Sequence, residues 1–104
     1  MATYCVTIRI ANKVVDGKDY DTRRKLLLNN ACEGSDGWWA EPTSFIMVSS
    51  PKDTYEFAKQ VTKGLSAKID LILIFDPSDM SAVCFGNVEH PSVLSEFIPS
   101  VRFD

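Results

Sequence analysis

The first hydrophobic pattern along the chain is a strict alternation. Residues 3–10, TYCVTIRI, place apolar side chains at every second position and threonine, cysteine and arginine side chains between them. The alternating apolar set consists of Tyr4, Val6, Ile8 and Ile10. Alternation with β-branched residues is typical of a strand that buries one face. We therefore predict a strand over residues 3–10.

Two later segments carry apolar residues at helical spacing. Residues 20–32 follow Asp19 and Asp21, either of which can accept hydrogen bonds from the free N–H groups of a first helical turn. Residues 51–63 follow Ser50, which we predict as the N-cap, and begin with a proline that suits a first turn. The apolar stripe of this second helix consists of Phe57, Ala58, Val61 and Leu65. Two amphipathic helices are therefore predicted.

Three further strands are predicted from shorter apolar runs. Residues 44–49, SFIMVS, form one, and residues 69–75, IDLILIF, form a second that is apolar on both faces, as in the middle of a sheet. A turn over residues 76–79 joins this strand to a last one over residues 82–87. Residues 88–104 are predicted to be a C-terminal tail with a short helical turn.

This order of elements predicts a single α+β domain over residues 1–104. We expect a ferredoxin-like sandwich, in which a four-stranded antiparallel or mixed sheet carries two helices on one face and a short C-terminal tail. The first and third predicted strands should be central. We take them to be neighbouring parallel strands, so Arg9 should pair with Asp76 at their common end, on the face opposite the helices.

The sheet face without helices is the predicted interface of a homodimer. We expect Cys5, Thr7, Ile72 and Ile74 to lie on that face. Isoleucines at the centre of an uncovered sheet would form an exposed apolar patch, which soluble monomers usually avoid. A second sheet or the C-terminal tail should therefore cover them.

Composition and charge narrow the class of protein. The chain has 104 residues, 45% hydrophobic and 24% charged, with a net charge of −3, which argues against a dedicated basic nucleic-acid surface. Its three cysteines are far apart and form no CxxC pair, so free thiols are expected. The first ten residues lack the pattern of a signal peptide, and no apolar run approaches the roughly 18 residues of a membrane span. We therefore expect a cytoplasmic protein without a membrane partner.

Few residues suggest catalytic chemistry. Asp16, Asp19 and Asp21 could attract a hard cation, but they lack the glycine and glutamate of a calcium loop, so a solvated loop and helix cap are expected. His90, the single histidine, has no accompanying nucleophile motif. We assign no catalytic residue, no metal ligand and no cofactor.

The candidate partner-binding residues are basic or aromatic. They are Arg9, Arg23, Arg24, Lys25, Trp38 and Trp39. The tryptophan pair is interpreted as an anchor between a helix and a strand, with one ring in the core and one partly exposed. Partner contact or base stacking is the alternative. The basic run at residues 23–25 is interpreted as a solvated helix face, with phosphate contact as the alternative.

Two stretches resemble a known superfamily. The stretch GWWAEPTSFIMVSS, followed by a helix and by IDLILIF, resembles the SinR-like proteins of the wider CRISPR-associated second-core-protein superfamily. The segment DYDTRRKL, residues 19–26, is similar to the acidic-x-Arg-Arg start of the first helix in the CRISPR-associated members. The resemblance covers residues 3–87 and implies a short ferredoxin-like domain that pairs as a homodimer. Where those members carry a metal-binding aspartate at the end of the first strand, this chain has Arg9.

The resemblance, together with the missing acid, defines the expected function. We expect a small non-catalytic dimeric module that binds a protein or nucleic-acid partner, with a link to prokaryotic defence or toxin–antitoxin systems. One alternative is a metal-dependent endonuclease or ribonuclease of the same fold. Another is a small acidic inhibitor of a defence system.

Overall fold

A computed structural model describes residues 1–104, which form three helices and six strands. The strands are β1 (Ala2–Arg9), β2 (Gly37–Trp39), β3 (Phe45–Ser50), β4 (Leu71–Phe75), β5 (Ala82–Gly86) and β6 (Val101–Phe103). The helices are α1 (Tyr20–Cys32), α2 (Thr54–Thr62) and α3 (Pro91–Phe97). The strands and helices predicted from the sequence are present, the helical turn predicted in the C-terminal tail is α3, and the strands β2 and β6 are additional.

The strands form one mixed sheet in the order β2-β3-β1-β4-β5-β6. All neighbouring strands are antiparallel except β5 and β6, which are parallel. The predicted four-stranded sandwich with two helices is therefore wrong. The four predicted strands do form the middle of the sheet, with β1 and β4 adjacent at its centre, but a short strand extends each edge.

The antiparallel pairing of β1 and β4 separates two residues that were expected to meet. In this register Arg9 lies opposite Leu71 at one end of the pair, and Cys5 lies opposite Phe75 at the other. Asp76 directly follows Phe75, so it lies at the end of the sheet away from Arg9. The predicted Arg9–Asp76 pair is wrong because it assumed parallel strands.

Helices α1 and α2 cover one face of the sheet and form the core with it. Leu27 and Ala31 of α1 and Phe57 of α2 are fully buried against β-strand residues. Ile72 and Ile74 belong to this core and are 0% exposed. Their predicted position on the face without helices is therefore wrong. Both alternating sets of β4 are apolar, so the sequence pattern could not tell the two faces apart.

Side-chain caps fix where the two long helices begin. The Asp19 carboxylate accepts a hydrogen bond from the Thr22 N–H at 2.8 Å, as predicted for the start of α1. At α2 the cap is Asp53, which accepts from the Glu56 N–H at 2.8 Å. The predicted cap, Ser50, is instead the last residue of β3.

The two helices also bind each other's C-terminal ends. Asn30 of α1 donates its side-chain amide to the Lys63 carbonyl at 2.9 Å, just beyond α2. Gln60 of α2 donates its side-chain amide to the Glu33 carbonyl at 2.9 Å, just beyond α1. Carbonyls at helix ends have no partner within the helix, so these bonds satisfy both ends and hold the helices side by side.

The C-terminal segment folds as a crossover from β5 to β6 through α3. Leu94 of α3 lies near Leu73 and Cys84, on the sheet face opposite α1 and α2. The side chain of Arg102 in β6 reaches the helix side of the sheet. Its guanidinium lies 3.6 Å from the centre of the Tyr55 ring of α2, which stabilises the position of β6. The predicted tail is therefore an integral layer of the domain. None of the three helices is both long and apolar enough to cross a membrane.

Candidate partner-binding face

The sheet face opposite α1 and α2, called the open face below, carries two rows of side chains. Residues paired across neighbouring strands lie on the same face of a sheet. One row runs through Phe45, Thr7, Leu73 and Cys84, and the other through Met47, Cys5, Phe75 and Ala82. Most of these side chains are apolar, although the face is not covered by the long helices.

A groove lies across the first row, between the sheet and α3. It has a volume of about 620 Å³. Its floor includes Phe45, Leu71 and Leu73, and Leu94 of α3 forms part of its wall. Ligand and partner pockets commonly enclose about 300–1,000 Å³ with mostly apolar linings. The groove is therefore large enough to receive bulky side chains.

Charged side chains stand at the rim of this groove. Arg9 donates a weak hydrogen bond of 3.3 Å to the Asn87 carbonyl and forms no ion pair in the protomer. Glu89 and His90 lie 4.0 Å apart and are both largely exposed. The rim is thus polar around an apolar floor, which is the usual arrangement of a protein interface.

Burial keeps the two cysteine thiols of the open face protonated. Cys5 and Cys84 are buried among the rows, and loss of solvation raises the pKa of each thiol above its ordinary value. Their protonated form behaves as a small apolar side chain. The predicted interface residues Cys5 and Thr7 therefore lie on the expected face, whereas Ile72 and Ile74 lie beneath the helices.

The two tryptophans of β2 point to opposite sides of the sheet, as their adjacency predicts. Trp38 pairs with Val48 and lies on the helix side, whereas Trp39 pairs with Met47 and lies on the open face. The Trp39 ring makes an edge contact with Phe45 at a centroid distance of 6.5 Å. Neither ring is in the core, since Trp38 is 61% and Trp39 44% exposed. The expectation of one buried ring is wrong because β2 is an edge strand.

The basic run at the start of α1 is divided between the interior and the surface. Arg23 is buried and pairs with Asp70, so it is not available to a partner in this fold. Arg24 donates two hydrogen bonds to the Thr43 carbonyl, at 3.1 and 3.2 Å. Lys25 is exposed. Of the predicted basic contacts, only Arg9, Arg24 and Lys25 remain accessible.

A second groove lies on the helix side, between α1 and the β2 edge. It has a volume of about 550 Å³ and includes Leu28, Cys32 and Trp38. Arg24 precedes Leu28 by four residues, so both project from the same side of α1. The structure thus brings Arg24 and Trp38, predicted separately as partner contacts, to one side of the molecule. We call this surface the α1–β2 groove.

The sequence did not identify α3 as part of a binding face. Val93, Leu94, Phe97 and Ile98 did indicate a helical turn, but nothing in their spacing says on which side of the sheet it lies. The protomer contains no group of three or more His, Cys, Asp or Glu side chains that could hold a metal ion. No protein-family model, curated protein or solved structure matches this chain.

Proposed function

We propose that this chain is a small non-catalytic module that acts as a cytoplasmic homodimer and binds a protein or nucleic-acid partner. The observation that carries the dimer is the open face, where four apolar side chains at the centre of the sheet stay only half-buried although α3 covers part of that face. They are Phe45, Met47, Leu73 and Phe75. Contiguous apolar surface of this kind marks interaction sites in soluble proteins. A second copy of the chain is the occupant that we assign to it.

Two further features support this assignment. The resemblance of residues 3–87 to SinR-like and CRISPR-associated proteins implies a paired homodimer and a link to prokaryotic defence or toxin–antitoxin systems. The three cysteines are free, which suits a reducing cytoplasm.

The partner would bind away from the dimer interface. The α1–β2 groove, on the other side of the sheet, is lined by the exposed indole of Trp38. The half-buried Arg24 and the exposed Lys25 lie on α1 one turn before residues that line the groove. Indole and guanidinium groups are frequent anchors of protein interfaces and also stack on nucleic-acid bases. This surface therefore remains accessible when the open faces pair.

The direct test is the mass in solution, measured by sedimentation across nanomolar to micromolar concentrations. We expect twice the protomer mass of 11.6 kDa at micromolar concentration. The same measurement with short DNA and short RNA, with and without Mg²⁺, tests the nucleic-acid partner and reveals any cleavage. A protomer mass at all concentrations would contradict the dimer.

A matched pair of variants locates the interface. Leu73 and Leu26 are both half-buried leucines, but Leu73 is on the open face and Leu26 on the helix side. Leu73→Glu should give a folded protomer, verified by circular dichroism, because a charge would be buried without a partner in the dimer. Leu26→Glu should leave the dimer intact. A dimer that dissociates in Leu26→Glu but not in Leu73→Glu would place the interface on the helix side of the sheet.

A further inference from the structure

Helix α3 presents an apolar ridge to solvent. Val93 and Phe97 are four residues apart, so they lie on one side of the helix. Phe97 is 80% exposed and Val93 48% exposed. The neighbouring positions Leu94 and Ile98 are turned toward the domain, since Leu94 lines the groove and Ile98 is buried. We call Val93 and Phe97 the α3 ridge.

The ridge and the groove are both apolar and both lie on the open side of the molecule. The groove floor offers Phe45, Leu71 and Leu73, which are only half-buried in the protomer. Burial of an exposed phenylalanine in such a groove removes apolar surface of both from water. A foreign peptide in the groove would cover the floor but leave Phe97 in solvent. A partner that carries both a ridge and a groove would cover both.

We infer that the α3 ridge of one protomer inserts into the groove of its partner, and the reverse, in a two-fold homodimer. Two-fold symmetry requires the same patch on both copies to be self-complementary, and one chain that carries a knob and a hole on the same face meets this condition. This inference rests on the proposed homodimer and specifies which side chains hold it. Phe97 becomes the central anchor, because large buried aromatics carry much of the binding energy at interfaces.

Charges at the rim fit the same arrangement. Neither Arg9 nor Glu96, which directly precedes Phe97, forms an ion pair in the protomer, and Arg9 shares the rim with the exposed Glu89. Insertion of Phe97 brings Glu96 to the groove whose rim carries the partner's Arg9. A rim pair contributes little affinity but favours the correct orientation.

The test compares dimer dissociation constants by sedimentation. Phe97→Ser should raise the dissociation constant by about 30-fold, because it removes a central anchor. Its control is Val14→Ser, another exposed apolar residue, located in the loop after β1; this change should have no effect beyond about twofold. Both positions are exposed, so neither change should unfold the protomer.

A second pair of variants tests the groove from the other side. Thr7→Trp should fill the groove and raise the dissociation constant by at least about tenfold, since it occupies the space that Phe97 needs. Thr3→Trp, on the same face of β1 but outside the groove, is the control and should have a smaller effect. Arg9→Glu and Glu96→Arg should each weaken the dimer by about threefold, and the double variant should recover it.

The outcomes separate the two proposals. A wild-type protein that is a protomer at all concentrations overturns the homodimer and this inference together. A wild-type dimer that tolerates Phe97→Ser or Thr7→Trp overturns the ridge-and-groove contact alone. A double charge variant no tighter than the single ones removes the Arg9–Glu96 pair from the interface. The inference is supported if Phe97→Ser and Thr7→Trp both raise the dimer dissociation constant as stated and each has a larger effect than its control.

Discussion

Arg23 Nη2 lies 3.1 Å from Asp70 Oδ1, and the two side chains are 1% and 0% exposed. The same carboxylate accepts hydrogen bonds from the Ala11 N–H at 2.9 Å and from the Ser66 N–H at 3.0 Å. Arg23 also donates to the carbonyls of Ala11, Lys13 and Lys18. The pair therefore ties the loop between β1 and α1 to the segment that leads into β4, and so fixes the sheet centre from which the open face is built.

Arg23→Met should destabilise the fold by about 3–5 kcal/mol, because it leaves the Asp70 carboxylate buried without its counter-charge. The control is Arg24→Met. Arg24 binds a single carbonyl at the surface, so we expect a loss below about 1 kcal/mol. Urea unfolding of both variants measures the difference. Equal losses would mean that the buried pair contributes no more than a surface hydrogen bond.

Gly86→Ala should be among the most damaging single substitutions. Gly86 has a φ of +106°, and a Cβ atom there would lie 1.8 Å from the Asp70 carbonyl oxygen. Because that oxygen belongs to backbone that also binds the Asn87 N–H, it cannot move without breaking a hydrogen bond. We expect Gly86→Ala to lower the free energy of unfolding by more than about 3 kcal/mol.

Gly37→Ala is the matched control for this prediction. Gly37 begins β2, and a Cβ atom there would have no neighbour within 4 Å. Alanine at this position should be neutral or stabilise by up to about 1 kcal/mol, since glycine loses more conformational freedom in a strand. Thermal unfolding compares the two variants. Similar melting temperatures for both would contradict the close approach of Gly86 to Asp70.

Periodicity predicted the elements better than their faces. The bounds of α1 were predicted as residues 20–32, since a capping aspartate precedes the helix and a glycine follows it. In β4 both alternating sets are apolar. Ile72 and Ile74 are covered by α1 and α2, whereas Leu71 and Leu73 form the floor of the groove beside α3. Alternation carries no information about the face when both sets are apolar, so the assignment of Ile72 and Ile74 was wrong.

The burial of Arg23 and the two short edge strands depend on tertiary contacts that local sequence patterns do not reveal. The sequence analysis places Arg23 on a solvated helix face, and only the fold reveals its buried partner, Asp70, 47 residues away. The short strands β2 and β6 have three residues each, too few for a clear alternation. They exist because they extend sheet edges already formed by β3 and β5.

The two helix caps make the stability of the protein depend on pH in the acid range. Backbone hydrogen bonds from Thr22 and Glu56 lower the pKa of Asp19 and Asp53 below the ordinary value of 3.8. A carboxyl whose pKa is lower in the folded state stabilises the fold fully above its unfolded pKa. This contribution is lost as the pH falls through the folded pKa.

Replacement of a capping aspartate should therefore reduce the free energy of unfolding less in strong acid than at neutral pH. The stability difference between wild type and Asp53→Ala, measured by urea unfolding from pH 7 to pH 2, should be constant above about pH 5 and shrink below the ordinary pKa. Asp53→Asn is the control, because asparagine caps helices without titrating, and its stability should vary less with pH. A difference between wild type and Asp53→Ala that stays constant down to pH 2 would contradict the carboxylate cap.

The two tryptophans provide opposite reporters of the proposed homodimer. Trp39 is on the open face, in contact with the Phe45 ring of the groove, whereas Trp38 is on the helix side. Pairing of open faces should exclude water from Trp39 and leave Trp38 in solvent. Trp38→Phe leaves Trp39 as the single indole, and its emission should shift to shorter wavelength between nanomolar and micromolar concentration, with weaker quenching by iodide.

Trp39→Phe, which retains only Trp38, is the matched control and should show no such change with concentration. The two substitutions affect adjacent and similarly exposed residues of one edge strand, so any effect on stability should be alike. A concentration-dependent shift from Trp38 instead of Trp39 would place the interface on the helix side. A dimer by mass with no shift from either indole would require an interface remote from β2. Trp39 contacts Phe45 of the groove floor, so a partner seated on the open face at the groove would shield it.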